Sequence, residues 1–372
     1  MKFTIERAAL LASLNHVQSV VERRNTIPIL SNVQIDASAD GVSLTATDLD
    51  IAIVEGVGAD VATPGATTAP AHTLYDIVRK LPDGAQVELT FTGEDSRLML
   101  RAGRSEFALS CLPKEDFPVM AEGDMPHRFD VSAADLCRLI DKTRFAISTE
   151  ETRYYLNGIY LHAAESDGAP KLRGVATDGH RLARVEMPMP DGAAGMPGII
   201  VPRKAVAELR KLIEDLDGSV TVALSDTKIR FSFGETVLTS KLIDGTFPDY
   251  ERVVPVGNDK QLEVDAKVFS DAVDRVSTIS TEKSRAVKLS LDKDRAVLSA
   301  NSPENGTATE ELSVDYGSEK MEIGFNSRYL LDITQQVAGD NALFVFADAA
   351  SPTLVRDGSD EGALYVLMPM RV

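Results

Sequence analysis

Pro70-Ala-His-Thr-Leu74-Tyr-Asp-Ile77, Pro202-Arg-Lys-Ala-Val206-Ala-Glu-Leu209 and Asn326-Ser-Arg-Tyr-Leu330-Leu-Asp-Ile333 are three versions of one segment. Counted from each opening residue, positions +4, +7 and +11 are apolar every time: Leu74, Ile77, Leu81; Val206, Leu209, Ile213; Leu330, Ile333, Val337. Steps of three and four put these side chains on one face of a helix. The same face recurs three times along the chain.

Other landmarks recur in the same order, so the helices belong to a repeat. Phe3 and Ile5 precede Leu10 and Leu14, Phe129 and Val131 precede Leu136 and Ile140, and Leu262 and Val264 precede Phe269 and Val273. Ala46-Thr47-Asp48 returns as Ala176-Thr177-Asp178, while the third copy reads Ser299-Ala300-Asn301. Ser110-Cys-Leu112 with Phe117-Pro118 returns as Ser240-Lys-Leu242 with Phe247-Pro248. One third of 372 residues is 124, the size of a domain with its own core and far longer than a solenoid unit. Pro, Gly and charge cluster at 121–126 and 254–258, which sets the expected domains at 1–122, 128–253 and 258–372.

Between the helices, apolar residues alternate in period two. Val33, Ile35 and Ala37 lead into Asp40-Gly41, and Val42, Leu44 and Ala46 lead out. Asp-Gly is a strong hairpin signal, and it returns at Asp83, Asp167, Asp217 and Asp244. Each copy therefore reads as helix, antiparallel strands, helix and further strands, an α+β domain with helices on one face of the sheet.

The chain is 44% hydrophobic and 26% charged, ordinary for a globular protein with a buried core. No apolar run reaches the about 18 residues that suggest a membrane span, and Met1-Lys-Phe-Thr-Ile-Glu already fits the repeat. A cytoplasmic protein is expected, with no membrane partner. Cys111 and Cys137 have no His or Cys at ligand spacing and read as free thiols. The net charge of −18 argues against binding nucleic acid over the whole surface, because phosphate contacts need cations. Arg138 and Lys142 on one helix, and Arg203, Lys204, Arg210 and Lys211 on another, suggest that positive charge gathers on helices.

No nucleotide loop, dinucleotide fingerprint, nucleophile elbow or zinc-protease helix occurs, and the five histidines are scattered. Only Thr177-Asp178-Gly179-His180-Arg181 looks like a site. Its duplicate Thr47-Asp48-Leu49-Asp50 keeps Asp and loses Gly-His-Arg, so the Asp reads as a turn residue and the rest as a graft for binding. Neither an enzyme nor a cofactor is expected.

Thr26-Ile-Pro-Ile-Leu-Ser-Asn32, Arg153-Tyr-Tyr-Leu-Asn-Gly158, Ala176-Thr-Asp-Gly-His-Arg-Leu182, Phe247-Pro-Asp-Tyr250, Met321-Glu-Ile-Gly-Phe-Asn326 and Met368-Pro-Met-Arg371 together resemble the bacterial DNA polymerase III beta subunit family, the sliding clamps. The likeness spans the chain in order. It implies a head-to-tail homodimer closed into a ring of six similar domains, with helices lining a channel and antiparallel sheets outside. Such a ring encircles duplex DNA and tethers the replicative polymerase, so topology replaces phosphate affinity. A clamp-loader complex opens it.

The resemblance further implies a groove for short peptides, often resembling Gln-Leu-x-Leu-Phe, of the polymerase alpha subunit, other polymerases and repair proteins. Carried over by motif, its residues are Leu156, Thr177, Gly179, His180, Arg181, Leu182, Pro248, Arg252, Val253, Asn326, Tyr329, Val366, Leu367, Met368, Pro369, Met370 and Arg371. Arg24, Arg153 and Tyr154 are the implied DNA contacts, and Phe107, Leu109 and Ile279 the implied dimer interface. The alternative is a non-enzymatic scaffold, ring- or arc-shaped, that never encloses DNA.

Overall fold

A computed structural model describes residues 1–121, 123–280 and 285–371. The first copy runs β1 (Lys2–Glu6), α1 (Arg7–Gln18), β2 (Asn32–Ser38), β3 (Gly41–Thr47), β4 (Ile51–Val57), β5 (Asp60–Thr63), β6 (Gly65–Pro70), α2 (Ala71–Lys80), β7 (Gln86–Phe91), β8 (Arg97–Ala102) and β9 (Ser105–Ser110). The second is β10 (His127–Ser132), α3 (Ala133–Thr143), β11 (Gly158–Ser166), β12 (Ala169–Thr177), β13 (Arg181–Pro188), β14 (Ile199–Pro202), α4 (Arg203–Leu212), β15 (Ser219–Leu224), β16 (Lys228–Phe233) and β17 (Thr236–Lys241). The third is β18 (Lys260–Asp265), α5 (Ala266–Ser277), β19 (Ala286–Asp292), β20 (Arg295–Ser302), β21 (Gly306–Ser313), β22 (Asp315–Tyr316), β23 (Met321–Asn326), α6 (Ser327–Thr334), β24 (Asn341–Phe346), β25 (Thr353–Asp357) and β26 (Asp360–Leu367).

Helices α1, α5 and α6 begin where the apolar face and a side-chain cap coincide, whereas α2 starts at Pro70 without one. Leu10, Leu14 and Val17 are buried along α1, whose first free amides, at Ala8 and Ala9, donate to the Glu6 carboxylate. Asp265 caps α5 and Asn326 caps α6 in the same way. Strands bury alternate residues as the period-two pattern requires, with Val42, Leu44 and Ala46 inward on β3.

The chain divides into two compact units, 1–134 with 190–193 and 204–242, and 135–189 with 194–203 and 243–372. The first unit holds a five-stranded sheet, β5-β1-β7-β8-β9, and an eight-stranded sheet, β10-β15-β16-β17-β4-β3-β2-β6. The second holds a nine-stranded sheet, β14-β11-β12-β13-β26-β25-β24-β18-β22, and a four-stranded one, β21-β20-β19-β23. Each wide sheet joins strands of two successive copies. β4 of the first pairs antiparallel with β17 of the second, Ile51 opposite Ser240. β13 of the second pairs antiparallel with β26 of the third, Arg181 opposite Leu367. The middle copy is thus shared between the two units.

Three sequence expectations need correction. Of these five, Asp40-Gly41 and Asp167-Gly168 close hairpins, whereas Asp83-Gly84 and Asp217-Gly218 connect a helix to a strand and Asp244-Gly245 lies in a loop. The dipeptide marks a tight reversal, and a helix end uses one as readily as a hairpin. The third copy aligns one residue later than its sequence suggests, because Ala300 is buried on β20 as Ala46 is on β3. Leu44 faces Glu55 across the ladder and Leu298 faces Glu310.

The third correction concerns the basic helices, most of whose cations are already paired, although Arg203 stays exposed. Arg138 and Lys142 reach the turn between β25 and β26, where both bind Asp360 and Lys142 also approaches Asp357. Lys204 pairs with Asp48 and Glu22, and Lys211 with Glu208. A charge cluster on a helix is visible in sequence, whereas most of the carboxylates that neutralise it lie far along the chain, Glu208 of α4 itself being the exception. Arg210 also has a partner.

Candidate peptide-binding slot

The Thr177-Asp178-Gly179-His180-Arg181 turn is built by its own side chains. Asp178 Oδ1 accepts from the amides of His180 and Arg181, and Thr177 Oγ1 accepts from Gly179 N while donating to Arg181 O. Thr47 and Asp48 make the same bonds to Leu49, Asp50 and Ile51. This supports the reading of the Asp as a turn residue. The third turn residue has positive φ in both, 80° for Leu49 and 88° for Gly179. In the second turn Gly179 has a further reason: a Cβ there would lie 2.7 Å from Arg153 Nη1.

Beside this turn, within the second unit, lies a slot of about 300 Å³. Its lining includes Leu156, Thr177, Gly179, Arg181, Leu182, Pro248, Val253, Val366 and Met368, nine of the residues the sequence nominated. Register explains the pairing of Leu182 with Val366, which stand directly opposite on β13 and β26. Two 3₁₀ segments, Glu151–Leu156 and Tyr250–Val253, supply the rest of the wall. Met368 is 38% exposed and Val253 47% exposed, so apolar surface is open to a ligand.

The other nominated groove residues sit differently. Leu367 is fully buried, since it alternates with Val366 on β26. His180 is exposed and stacks on Tyr329, with ring centroids 6.0 Å apart. Asn326 caps α6, and Arg252 points outward beside Asp249 at 2.7 Å. Pro369, Met370 and Arg371 line a wider cleft of about 970 Å³, where Met370 N donates to Gly324 O on β23.

The slot's charges are matched. Arg181 is 8% exposed; its guanidinium lies 4.4 Å from the Tyr329 ring centroid and 5.1 Å from that of Phe145, and pairs with Asp178 and Asp332. Arg153 lines the slot and pairs with Glu150, so a residue nominated for DNA stands in the wall. The hydrogen bond from Arg153 holds the Glu150 carboxyl below the usual range. An apolar floor with internally paired charges suits an uncharged apolar peptide better than a charged one.

Sequence reasoning missed Tyr155, Asp249 and Tyr250 as wall residues. Tyr250 closes the quoted Phe247-Pro-Asp-Tyr250 motif, and that was the available signal. Of the remaining nominees, Arg24 and Tyr154 are exposed, Phe107 and Ile279 half-buried, and Leu109 buried. Among the described residues no cluster of three or more His, Cys, Asp or Glu has the arrangement of a metal site.

Models of the DNA polymerase III beta subunit match in tandem: its N-terminal domain at residues 1–121, its central domain at 130–249 and its C-terminal domain at 251–371. The chain belongs to the DNA polymerase III beta subunit family. Within that family it is 59% identical over 372 residues to the beta sliding clamp of Caulobacter vibrioides, and 40% identical over 375 to that of Escherichia coli K12, each covered in full, as is this chain. A Caulobacter crescentus beta sliding clamp solved with PEG bound superposes at a TM-score of 0.98 with 59% identity, covering all of this chain and 99% of the other. A Bartonella birtlesii clamp bound to griselimycin gives a TM-score of 0.97 at 54% identity, with full coverage of both chains. Three similar clamp domains of mixed helix and antiparallel sheet are therefore the architecture of the chain.

Proposed function

We propose that two copies of this chain close head to tail around duplex DNA, and that the slot at Leu182, Val366 and Met368 captures short peptides of the proteins the ring tethers. Family membership makes the chain a sliding clamp for replication processivity, a non-enzymatic role. The proposal adds how it holds DNA and partners. One observation carries ring closure. The internal joints β4·β17 and β13·β26 are antiparallel, and each unites equivalent strands of successive copies. The same rule leaves β21 of the third copy and β9 of the first as sheet edges. Pairing β21 of one copy with β9 of another repeats the joint and removes both edges. Phe107, Leu109 and Ile279 would flank it.

In this reading the domains are 1–122, 128–253 and 258–372; Glu122 and Val372 lie outside the described residues. The ring works in the cytoplasm. Its partners are the polymerase alpha subunit, a clamp-loader complex that opens it, and other polymerases and repair proteins that share the peptide motif. Arg24, Arg153 and Tyr154 make the few direct DNA contacts. Free-DNA binding is then weak and fades between about 50 and 200 mM salt. Rings loaded on nicked circular DNA should persist at that salt and leave when the circle is cut. Equal retention on linear DNA with free ends would mean that the protein holds DNA by its surface, as a scaffold would.

A further inference from the structure

Behind the slot, three polar side chains form one row across the sheet. His162 on β11 stands opposite Arg173 on β12, and Arg173 opposite Glu186 on β13. Arg173 is 3% exposed and bonds in two directions. Its Nε donates to Glu186 Oε1 at 2.8 Å, and its Nη1 donates to Tyr250 Oη at 2.7 Å and to Glu251 Oε1 at 2.6 Å. His162 Nε2 lies 2.9 Å from Tyr250 Oη, and its Nδ1 lies 2.9 Å from Ala163 O. A carbonyl only accepts, so Nδ1 carries the proton and Nε2 takes the one from the tyrosine hydroxyl. Tyr250 Oη is thus fixed between one donor and one acceptor.

The ring of Tyr250 is part of the slot wall, on the same 3₁₀ turn as Val253 and just after Pro248 and Asp249. Tyr160 stacks on Phe247 at 4.8 Å and on His162 at 4.6 Å, packing the turn from behind. We propose that Arg173 and His162 are positioning residues for peptide capture: they touch no ligand, but set the Tyr250 turn and so the width of the slot. This rests on the peptide-binding reading above. Lysine would not serve at 173, because one ammonium lacks the planar fork that reaches the β13 carboxylate and the turn together. The row also explains Glu251, whose carboxylate is occupied by Arg173 and does not oppose the neighbouring Arg252.

Protonation disables the brace. An imidazolium donates from both nitrogens, so the tyrosine proton loses its acceptor and a second cation faces Arg173. The groups around the ring are Tyr160, Tyr250, Arg173, Glu186 and Glu251. Burial, with Arg173 adding to it, holds the histidine below its usual pKa, which keeps it neutral at pH 7.

The test uses the full-length chain, titrated calorimetrically with a Gln-Leu-x-Leu-Phe peptide at a series of pH values descending from 7.5. Wild type should bind at pH 7.5 and weaken once the pH falls past the depressed pKa of His162. Tyr250→Phe keeps the ring and removes the hydroxyl; affinity should fall about three- to tenfold at pH 7.5, and the pH dependence should shrink. Arg173→Lys should lose at least as much, with an unchanged sedimentation profile. Wild-type affinity and an unchanged pH response in a folded Tyr250→Phe would overturn the brace. Failure of wild type itself to bind would instead overturn the peptide-binding reading on which the brace rests.

Discussion

His16 Nδ1 lies 2.8 Å from Glu55 Oε2, at the helix position where the second copy carries Lys142 and the third Arg275. Each of these cations has an acid. Lys142 takes Asp360, and Arg275 lies 2.6 Å from Glu310, the third-copy equivalent of Glu55. Glu55 is buried on β4, accepts from Thr236 of β17 as well, and so ties α1 to the joint between the first two copies. In this one joint the cation can titrate.

Stability should therefore depend on pH through His16. The hydrogen bond to Glu55 raises its pKa against the opposing effect of burial. A folded pKa above the unfolded one means the contribution is full below about 6.5 and is lost as pH rises through the folded value. Melting temperatures of wild type and His16→Gln should differ most near pH 5.5 and converge by about pH 8.5. A constant difference would show that the pair does not titrate.

Asp360 should behave in the opposite sense. Burial alone would raise its pKa, but hydrogen bonds from Arg138 and Lys142 outweigh this and hold it at about 2. Its contribution is present above the unfolded value near 3.8 and is lost as pH falls toward 2. Asp360→Asn should cost about 2 kcal/mol in urea unfolding at pH 7, because it strands two cations.

Gly179→Ala tests the turn beside the slot. Leu49 shows that a side chain can occupy this conformation, so strain alone contributes only about 1 kcal/mol. The larger effect is the Cβ at 2.7 Å from Arg153 Nη1, which must displace that guanidinium from the wall. Peptide affinity should drop more than thermal stability does.

Met368→Ala removes the exposed anchor at the end of β26 while leaving the Met368 amide bonded to His180 O. A loss of about 2 kcal/mol in peptide binding is expected if Met368 is central to the contact. Titration of the variant with an unchanged dissociation constant would move the peptide elsewhere.

Ile279→Asp should yield a monomer in sedimentation at micromolar concentration, since an unpaired charge buried in an interface costs about 3 to 5 kcal/mol. A dimer that survives would remove Ile279 from the proposed closure.

Periodicity made the fold legible. Apolar residues at steps of three and four gave the helices, alternation gave the strands, and repetition at about 124 residues gave the copies. The slot was legible by resemblance at Leu182, Val366 and Met368, because strand register brings together what the motif names. Arg138 and Lys142 were misread because their partners lie more than 200 residues away, beyond any local pattern. Tyr250 was overlooked because its role depends on Arg173 and His162, whose alignment across three strands appears only once register is fixed.

The shared sheets bear on how such a protein is assembled from genes. Both joints have five residue pairs and the same direction, although the side chains differ: Ile51 faces Ser240 in one and Arg181 faces Leu367 in the other. Backbone amides and carbonyls make the coupling, and these are common to every residue except proline. A joint of this kind is a standard connector that does not register whether the chain continues through it. How many copies one reading frame encodes is then free to vary, while excising the middle copy alone would bare β13 and β17 together and leave a fragment prone to aggregate.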